Sequence, residues 1–246
     1  MKLIGVYSYP KSGNTWVRVI LGNVMGKNAL QIPDLHKQRL EDAKPFNGLR
    51  FFKHHAGRNL KMWQGQKLET DHVIHIRRNP LDVFMSYLNF ISDNVTGTAP
   101  IRFPSVEAIH GTDLFDLYFH TFIVTGQFSV VFGHTTRSYF DHNQFWLTQT
   151  EVPVTHLRYE DMLDDPLTAM APVAKLIGVD DETMSNALAK AAEKTKPNGK
   201  FFWKQQAKNY VNYLSDAQIE QFLKYRGEDS AALGYDAEYL LERPKS

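Results

Sequence analysis

The amino-acid sequence predicts an α/β fold in which helices form layers on either side of a mainly parallel central sheet. Short runs rich in Ile, Val, Leu and Phe alternate along the chain with longer segments of helical periodicity, which favours this class. The short runs are largely apolar, as is typical of strands that are buried on both faces. With 246 residues, of which 43% are hydrophobic, the chain is long enough for one globular domain spanning residues 1–246.

Short apolar runs identify the strands, and apolar residues at helical spacing identify the helices. The predicted strands are Lys2–Ser8, Leu49–Lys53, His72–Arg77 and Val154–Leu157. The predicted helices are Thr15–Met25, Leu81–Ser92, a stretch within Leu114–Thr125, Tyr139–Thr148, Leu167–Leu176, Glu182–Glu193 and Asp216–Arg226. Ser215 is a suitable cap for the last helix, and Gly178 is suited to end an earlier one. Because ligands bind beyond the carboxyl ends of parallel strands, functional residues are expected just after Ser8, Phe52 and Ile76.

The composition excludes several classes of function. A net charge of +1 gives no global electrostatic reason to expect nucleic acid or an anionic membrane as a partner. The chain has no cysteine, which excludes disulfides, thiolate nucleophiles and Cys-ligated metals, and its histidines lack metal-ligand spacing. The segment Tyr9-Pro10-Lys11 interrupts the N-terminal apolar run, and no stretch approaches the length of a membrane span. A cytoplasmic protein without a metal ion is therefore expected.

The segment Tyr9–Trp16 lies between the first predicted strand and the first predicted helix. A helix N-terminus presents backbone N–H groups and the positive end of the helix dipole to an anion. Lys11 adds a full positive charge, and the turn is completed by Ser12, Gly13, Asn14 and Thr15. The order of strand, loop and helix is like that of the P-loop NTPases, but the lysine precedes the single glycine, so this is not a Walker A loop. The segment predicts a phosphate-binding turn, with an ordinary capped turn as the alternative.

A second anion site is predicted at the end of the strand His72–Arg77. That strand is followed by Arg78, and Ser86 lies on the next predicted helix. Arginine is suited to bidentate recognition of phosphate, so Arg78 and Ser86 together predict a site beside the first. Two such sites suit a ligand with two separated phosphate-like groups. The alternative is that one of the paired arginines caps a helix and the other is a surface charge.

Several segments in this order resemble motifs of the cytosolic sulfotransferases, which use 3′-phosphoadenosine 5′-phosphosulfate (PAPS) as donor. Tyr9–Trp16 resembles the family's 5′-phosphosulfate loop, and Arg78–Tyr87 resembles its 3′-phosphate motif. Lys53-His54-His55 is similar to its Lys-Thr-His segment. Ser138–Trp146 is similar to its Gly-Ser-Trp…His…Trp helix, and Arg158–Met162 to its Tyr-Glu-Asp-Met segment. The resemblance implies a sulfotransferase that releases 3′-phosphoadenosine 5′-phosphate (PAP).

The resemblance also implies roles for individual residues. His55 would be the general base, Trp16 would stack on adenine, and Arg78 with Ser86 would hold the 3′-phosphate. His142 would either line the acceptor pocket or be a core histidine on an aromatic helix. The implied contacts to the donor nucleotide are Lys11, Ser12, Gly13, Asn14, Thr15, Trp16, Arg78, Ser86, Tyr159, Thr195 and Lys204.

The sequence departs from the family pattern in three places. Asn14 stands where the phosphosulfate loop of the family has a Thr. The C-terminal Arg-Lys-Gly…Gly-Asp-Trp segment of the family is barely recognisable in Lys200–Tyr210, where Lys204 substitutes for its basic pair. The dimer motif Lys…Thr-Val…Glu is absent, so the sequence predicts no oligomeric state.

The predicted reaction moves a sulfuryl group in line from PAPS to a hydroxyl or amine of a small-molecule acceptor. Lys11 is suited to stabilising charge on the leaving nucleotide, and Lys53 to holding the 5′-phosphosulfate. His55 can take the acceptor proton as a neutral imidazole. Because side chains alternate along extended backbone, Lys53 and His55 share a face and His54 points the other way.

Two other functions are alternatives to this one. A small-molecule kinase with an unusual phosphate loop predicts ATP binding and metal dependence, but the Walker A order and an Asp at the end of His72–Arg77 are missing. A non-catalytic PAP-binding module predicts binding without turnover. Such a module would not need the base His55, which the chain has together with Lys11, Lys53 and Ser86.

Overall fold

The computed structural model of the protein describes residues 1–26, 32–127, 137–196 and 203–243. The chain divides into two compact units. The first unit comprises Met1–Arg78 and Phe145–Lys196, and the second comprises Asn79–Gln144 and Pro197–Ser246. Among the described residues, no helix is both long and apolar enough to cross a membrane.

The first unit is built on a parallel sheet of four strands in the order β2-β1-β5-β6. The strands of this unit are β1 (Lys2–Ser8), β2 (Leu49–His54), β3 (Met62–Trp63), β4 (Gln66–Lys67), β5 (His72–Arg77) and β6 (Val154–Arg158), of which β3 and β4 form a separate antiparallel hairpin. From β1 the chain continues to β2 on one side and later to β5 on the other. The carboxyl end of β1 therefore lies at the switch point of the sheet, where open α/β sheets bind ligands.

Side-chain alternation divides the apolar residues of the sheet between two core clusters. The first cluster contains Ile4, Val6, Phe51, Ile74, Ile76 and Leu157. The second contains Tyr7, Phe52 and Val73, together with Trp146 from outside the sheet. Both faces of the sheet are thus covered, which explains why its strands have largely apolar sequences instead of alternating ones.

The helices of the chain are α1 (Asn14–Val24), α2 (Pro80–Ile91), α3 (Val106–Ile109), α4 (Asp113–Thr125), α5 (Tyr139–Thr148), α6 (Tyr159–Asp164), α7 (Pro166–Ile177), α8 (Asp181–Lys194), α9 (Asp216–Ala232) and α10 (Ala237–Leu241). In the first unit, α1, α7 and α8 contribute Val17, Val173 and Met184 to the first core cluster. Helix α7 ends at Gly178, whose φ of 69° is left-handed. Short 3₁₀ turns lie at Leu40–Asp42 and Asn209–Asn212.

The second unit has an aromatic core between α2, α4 and α9. The ring of Phe84 on α2 lies 5.8 Å from Phe115 and 5.6 Å from Phe122 of α4, and Phe122 stacks on Phe222 of α9 at 6.3 Å. The carboxylate of Asp82 on α2 accepts the backbone N–H of Lys208 at 2.8 Å and that of Tyr210 at 3.1 Å. The segment after residue 203 is therefore fixed to the beginning of α2.

The predicted fold class is confirmed, and each predicted strand and helix has a counterpart within a few residues. Ser215 forms the predicted cap, in a reciprocal pair with Gln218. Helix α9 runs on to Ala232 instead of ending at Arg226, because Gly227 sits within the helix without breaking it. The sequence did not reveal β3, β4, α3, α6 and α10, since elements this short show no periodicity.

Candidate active site

The loop between β1 and α1 has strained backbone at the lysine that was predicted to bind an anion. Lys11 has a φ of 71° and Gly13 a φ of 101°, and Gly13 is the N-cap of α1. Positive φ at a non-glycine residue is uncommon and costs energy, and such strain is concentrated at functional sites. The hydroxyl of Ser12 is buried and has no hydrogen-bond partner among the described residues. A buried hydroxyl of this kind fits a site for an anionic ligand.

Asn14 and Thr15 begin α1 and have different surroundings. The Asn14 amide donates to the Ser8 hydroxyl at 3.2 Å and to the Val6 carbonyl at 3.4 Å, so this side chain braces the loop against β1. Thr15 is exposed. The backbone N–H groups of both residues belong to the first turn of the helix, where no intrahelical acceptor exists.

The ring of Tyr159 lies against Gly13 and contacts two further side chains. The Tyr159 ring is so close that a Cβ at Gly13 would lie 2.6 Å from Cδ2 of the tyrosine. Trp16 packs edge-on against the same ring at 5.5 Å. The Arg78 guanidinium also lies over the Tyr159 ring, 4.2 Å from its centroid. Nη1 of Arg78 donates to the Lys11 carbonyl at 3.4 Å. Residues that follow β1, β5 and β6 thus meet around the Tyr159 ring.

Lys11 and Arg78 form a positively charged pair. Burial, together with repulsion from Arg78, lowers the pKa of Lys11 to about 8. Lys11 keeps a partly exposed surface, and the neighbouring protein still removes much of the water that would stabilise its ammonium. An anion bound between two such cations relieves their repulsion, so the arrangement is suited to a phosphate-like group.

His55 follows β2 and is oriented by a backbone carbonyl. Its Nδ1 lies 2.8 Å from the carbonyl oxygen of Ser8. A carbonyl can only accept, so Nδ1 carries the proton and Nε2 carries the lone pair of the neutral ring. Burial and the nearby Lys53 ammonium lower the pKa of His55 well below its ordinary value. The ring is therefore neutral at physiological pH, as a general base must be.

His54 has a different environment from its neighbour. It is fully buried, and its Nδ1 accepts the backbone N–H of Ala56 at 2.9 Å. Its ring packs against Trp63 and His36, with centroids 4.2 Å away in both cases. After the larger effect of burial, Lys53 lowers the pKa of His55 electrostatically, while His54 joins an aromatic group. The His36 ring lies near both histidines, 4.2 Å from the ring of His54 and 5.8 Å from that of His55, so the alternation of side chains in this segment stays a prediction.

Lys53 forms an ion pair that the sequence analysis missed. Its Nζ lies 2.9 Å from Oδ2 of Asp34. Burial lowers the pKa of Lys53 to about 8, while the carboxylate acts in the opposite direction. Asp34 lies in a loop outside every predicted element, and no motif marks it, so no signal in the sequence could have revealed the pair.

The other predicted site residues lie on several elements. Thr195 is buried at the end of α8, where its hydroxyl donates to the Ala191 carbonyl at 2.8 Å. In the second unit, Ser86 is half-buried on α2 and His142 is buried on α5. Lys204 is exposed, with its ammonium 5.4 Å from the ring of its neighbour Trp203. Residues 200–202 of the predicted C-terminal segment Lys200–Tyr210 lie outside the described residues.

The fold and these groups define a class of protein. A loop with Lys11 after β1, an arginine after β5, and a lysine near the end of β2 followed by a neutral histidine are suited, in an α/β fold, to a transferase of an anionic group. Within the described part of the chain, no cluster of three or more His, Asp and Glu side chains is arranged to hold a metal ion.

The family model for the sulfotransferase domain matches residues 3–234. The chain therefore belongs to the sulfotransferase family, and sulfuryl transfer is the reaction of that family. This confirms the family that the motifs resembled.

Curated relatives agree with this assignment, and solved structures share the fold. Sulfotransferase 1B1 of Canis lupus familiaris is 24% identical, over 88% of this chain and 79% of the relative. Sulfotransferase 1A1 of Bos taurus is 28% identical, over 77% of this chain and 64% of the relative. Mouse sulfotransferase SULT7A1 complexed with PAP superposes with a TM-score of 0.60 and 20% identity, covering 93% of this chain and 84% of the other. Retinol dehydratase in complex with androsterone and inactive cofactor PAP superposes with a TM-score of 0.68 and 17% identity, covering 99% of this chain and 84% of the other. These structures confirm the fold.

Proposed function

We propose that this protein transfers a sulfuryl group from PAPS to a hydroxyl or amine of a small molecule and releases PAP. The observation that carries the proposal is the hydrogen bond between His55 Nδ1 and the Ser8 carbonyl, at 2.8 Å. It makes Nε2 the basic nitrogen of a neutral imidazole, beside the Lys53 ammonium. A base and a cation held together at the end of β2 suit proton removal next to an anionic donor.

The loop after β1 fits the 5′-phosphosulfate of the donor. The buried Ser12 hydroxyl, the first amides of α1 and the Lys11 ammonium are the groups proposed to bind it. Gly13 fits this role because any side chain there would collide with Tyr159. Arg78 would hold the 3′-phosphate while its guanidinium stays on the Tyr159 ring.

The remaining nucleotide contacts are proposed from the family resemblance. Trp16 would stack on adenine, and Ser86 would join Arg78 at the 3′-phosphate. Thr195 and Lys204 would complete the set. Two residues near Lys204 support the proposed correspondence with the family's glycine-containing segment, since Gln205 and Lys208 have φ values of 47° and 55°. Left-handed backbone is the conformation in which glycine is favoured.

The chemical step follows from these positions. The acceptor oxygen or nitrogen forms a bond to sulfur, and its proton passes to Nε2 of His55. The bond between sulfur and the 5′-phosphate oxygen breaks, and the electron pair stays on that oxygen. Lys11 can stabilise the charge that develops there, and Lys53 can hold the oxygens of the transferred group.

A small-molecule acceptor is proposed because solved relatives bind such ligands. Structures of retinol dehydratase were determined in complex with androsterone or retinol, each together with PAP. For the present chain, His142 is proposed as an acceptor contact by its match to the family histidine.

The proposal is tested by incubating the protein with sulfur-labelled PAPS and a panel of phenols, alcohols, amines and sugars, in the presence of EDTA. We expect label to pass to at least one acceptor class, with PAP formed in equal amount. Tight PAP binding without any transfer would assign a non-catalytic binding module instead. A parallel incubation uses labelled ATP with and without Mg²⁺, and transfer from ATP that requires Mg²⁺ would assign a kinase.

A further inference from the structure

Asp34 lies in a loop segment that extends the sheet beside the carboxyl end of β2. The backbone N–H of Lys53 donates to the Pro33 carbonyl at 2.8 Å, and the N–H of Leu35 donates to the Lys53 carbonyl at 3.1 Å. These bonds form a parallel bridge in which Asp34 is in register with Lys53. Residues in register on neighbouring strands have side chains on the same face, so the backbone itself brings the carboxylate to the lysine.

The Asp34 carboxylate is held through both of its oxygens. Oδ2 lies 2.9 Å from Lys53 Nζ, and Oδ1 accepts the backbone N–H of His36 at 3.2 Å. The segment is also fixed from the β3–β4 hairpin, because the Trp63 indole N–H donates to the Leu35 carbonyl at 2.7 Å. A carboxylate constrained in this way loses little conformational freedom when it pairs, which favours a defined position for the lysine.

Two nearly buried cations share this single carboxylate. Lys53 is 6% exposed and Arg18 of α1 is 9% exposed, and the charge of Asp34 stabilises the charged form of both. Arg18 also donates to the Ile32 carbonyl at 2.5 Å, at the start of the same segment. The cluster keeps an excess of positive charge, which an anionic ligand would complement.

Burial and the carboxylate act on Lys53 in opposite directions. Burial lowers its pKa to about 8, and Asp34 limits this decrease. Arg18 and Lys37 also lower the pKa of Lys53. The charge of Lys53 in turn adds to the effect of burial in lowering the pKa values of His36 and His55. Asp34 is the only one of these groups that favours the charged lysine.

We propose that Asp34 is a positioning residue for sulfuryl transfer, which acts by holding Lys53 charged and directed beside His55. The inference rests on the proposed function, because Lys53 is proposed there as a donor contact. Asp34 itself would touch neither donor nor acceptor. It would keep the buried Lys53 in its cationic form before the donor binds. The oxygens of the anionic donor would then accept further hydrogen bonds from the Lys53 ammonium.

The variant Asp34→Asn tests this proposal, since it removes the charge and keeps an oxygen for the His36 N–H. The alkaline limb of donor kcat/KM should move down by at least about one pH unit. The loss relative to wild type should approach about tenfold at pH 9 and nearly vanish at pH 6.5. Asp34→Glu, which keeps the charge, should retain most of the wild-type profile. An equal loss at every pH in Asp34→Asn would mean a purely structural role and overturn the proposal.

Asp42→Asn is the matched control in the same loop. Asp42 accepts the backbone N–H of Arg39 at 3.0 Å and pairs with no cation among the described residues, so its loss should leave the pH profile unchanged. A shift in the Asp42→Asn profile equal to that in Asp34→Asn would contradict a specific effect of Asp34.

A measurement without donor separates this inference from the proposed function. The side-chain resonances of Lys53, assigned with Lys53→Arg, are titrated by NMR in wild type and in Asp34→Asn. A lower midpoint in the variant supports the ion pair, and an unchanged midpoint overturns the inference. A lower midpoint in a protein that does not turn over PAPS would overturn the proposed function, and with it the role of Asp34 in transfer.

Discussion

His54 and His55 are adjacent in the chain but are suited to different tasks. His55 is held by the Ser8 carbonyl through Nδ1, which leaves the basic nitrogen on the other side of the ring. His54 is enclosed by the rings of His36 and Trp63 and accepts a backbone N–H. The His54 and His55 rings both lie near that of His36, at 4.2 Å for His54 and 5.8 Å for His55, so their hydrogen bonds are what distinguish the two histidines.

Alanine substitution should separate these two roles. His55→Ala should lower kcat by about 10²–10⁴-fold, the usual effect of losing a general base, while PAP binding is retained. His54→Ala should keep most of the activity but lose about 1–3 kcal/mol of stability, because a buried backbone donor loses its acceptor. Single-turnover rates, thermal unfolding and PAP titrations measure these effects. Activity that survives His55→Ala but collapses in a folded His54→Ala protein would exchange the two assignments.

The pH dependence of donor kcat/KM should reflect one neutral histidine and two charged lysines. Burial lowers the pKa of His55 well below 6.5, so the acid limb should lie below pH 6.5. Burial also lowers the pKa values of Lys11 and Lys53 to about 8, so activity should fall as the pH rises through about 8. In kcat, which reports the donor complex, the alkaline limb should lie higher because the bound anion favours both ammonium groups. An acid limb at or above pH 6.5 would contradict the neutral base.

At the scale of secondary-structure elements, the loop from β1 to α1 depends on one glycine. Gly13→Ala would place a Cβ 2.6 Å from the Tyr159 ring, at a φ of 101°. We expect a loss of about 1–3 kcal/mol from the strained backbone and the displaced ring. The loop should also lose the geometry needed for transfer, with kcat lower by up to about 10²-fold.

Gly178→Ala is the matched control for this prediction. Gly178 also has a positive φ, of 69°, but a Cβ there would meet no atom within 4 Å. Its substitution should therefore cost about 1 kcal/mol of backbone strain and leave kcat unchanged. Equal effects of the two substitutions on kcat would mean that contact with Tyr159 does not set the loop geometry.

The sequence allowed the central elements to be predicted because their patterns are local. The strands at Lys2–Ser8 and His72–Arg77 are apolar runs bounded by polar residues, and both were found with the bounds that the structure has. The loop that carries Asp34 has no such pattern, since its position depends on backbone bonds to Lys53. The ion pair between them joins residues far apart in the chain and could not be read from spacing.

The motif residues of the candidate site could be predicted because their patterns are local. The residues that contact them could not be predicted, because those contacts depend on the fold. Lys11, His55 and Arg78 each follow a strand, so the topology of a parallel sheet brings them to one edge. The contacts that define their chemistry come from elsewhere: Ser8 fixes the tautomer of His55, and Tyr159 supports Arg78. Motifs therefore predicted the candidate reactive residues, whereas the groups that orient them could be seen only in the fold.

For the whole molecule, ligand binding should appear as a gain in stability. A ligand that binds only the folded chain at about 100 times its Kd adds about 2.7 kcal/mol to the free energy of unfolding. PAP should therefore raise the melting temperature, and ATP at the same concentration should raise it much less. The reason is that ATP lacks the 3′-phosphate for which Arg78 and Ser86 are proposed. Thermal unfolding with each nucleotide, in the presence of EDTA, measures the difference.

Two arginine variants decide whether the 3′-phosphate causes that difference. Arg78→Ala should reduce the advantage of PAP over ATP, because it removes the proposed partner of the phosphate. Arg77→Ala, at the end of β5, is the control: Arg77 lies near His156, whose pKa it helps to lower after the larger effect of burial. This variant should keep the preference for PAP. Equal stabilisation of the wild type by PAP and ATP would contradict a PAPS donor. If both variants lost the preference for PAP equally, that preference would come from general positive charge and not from Arg78.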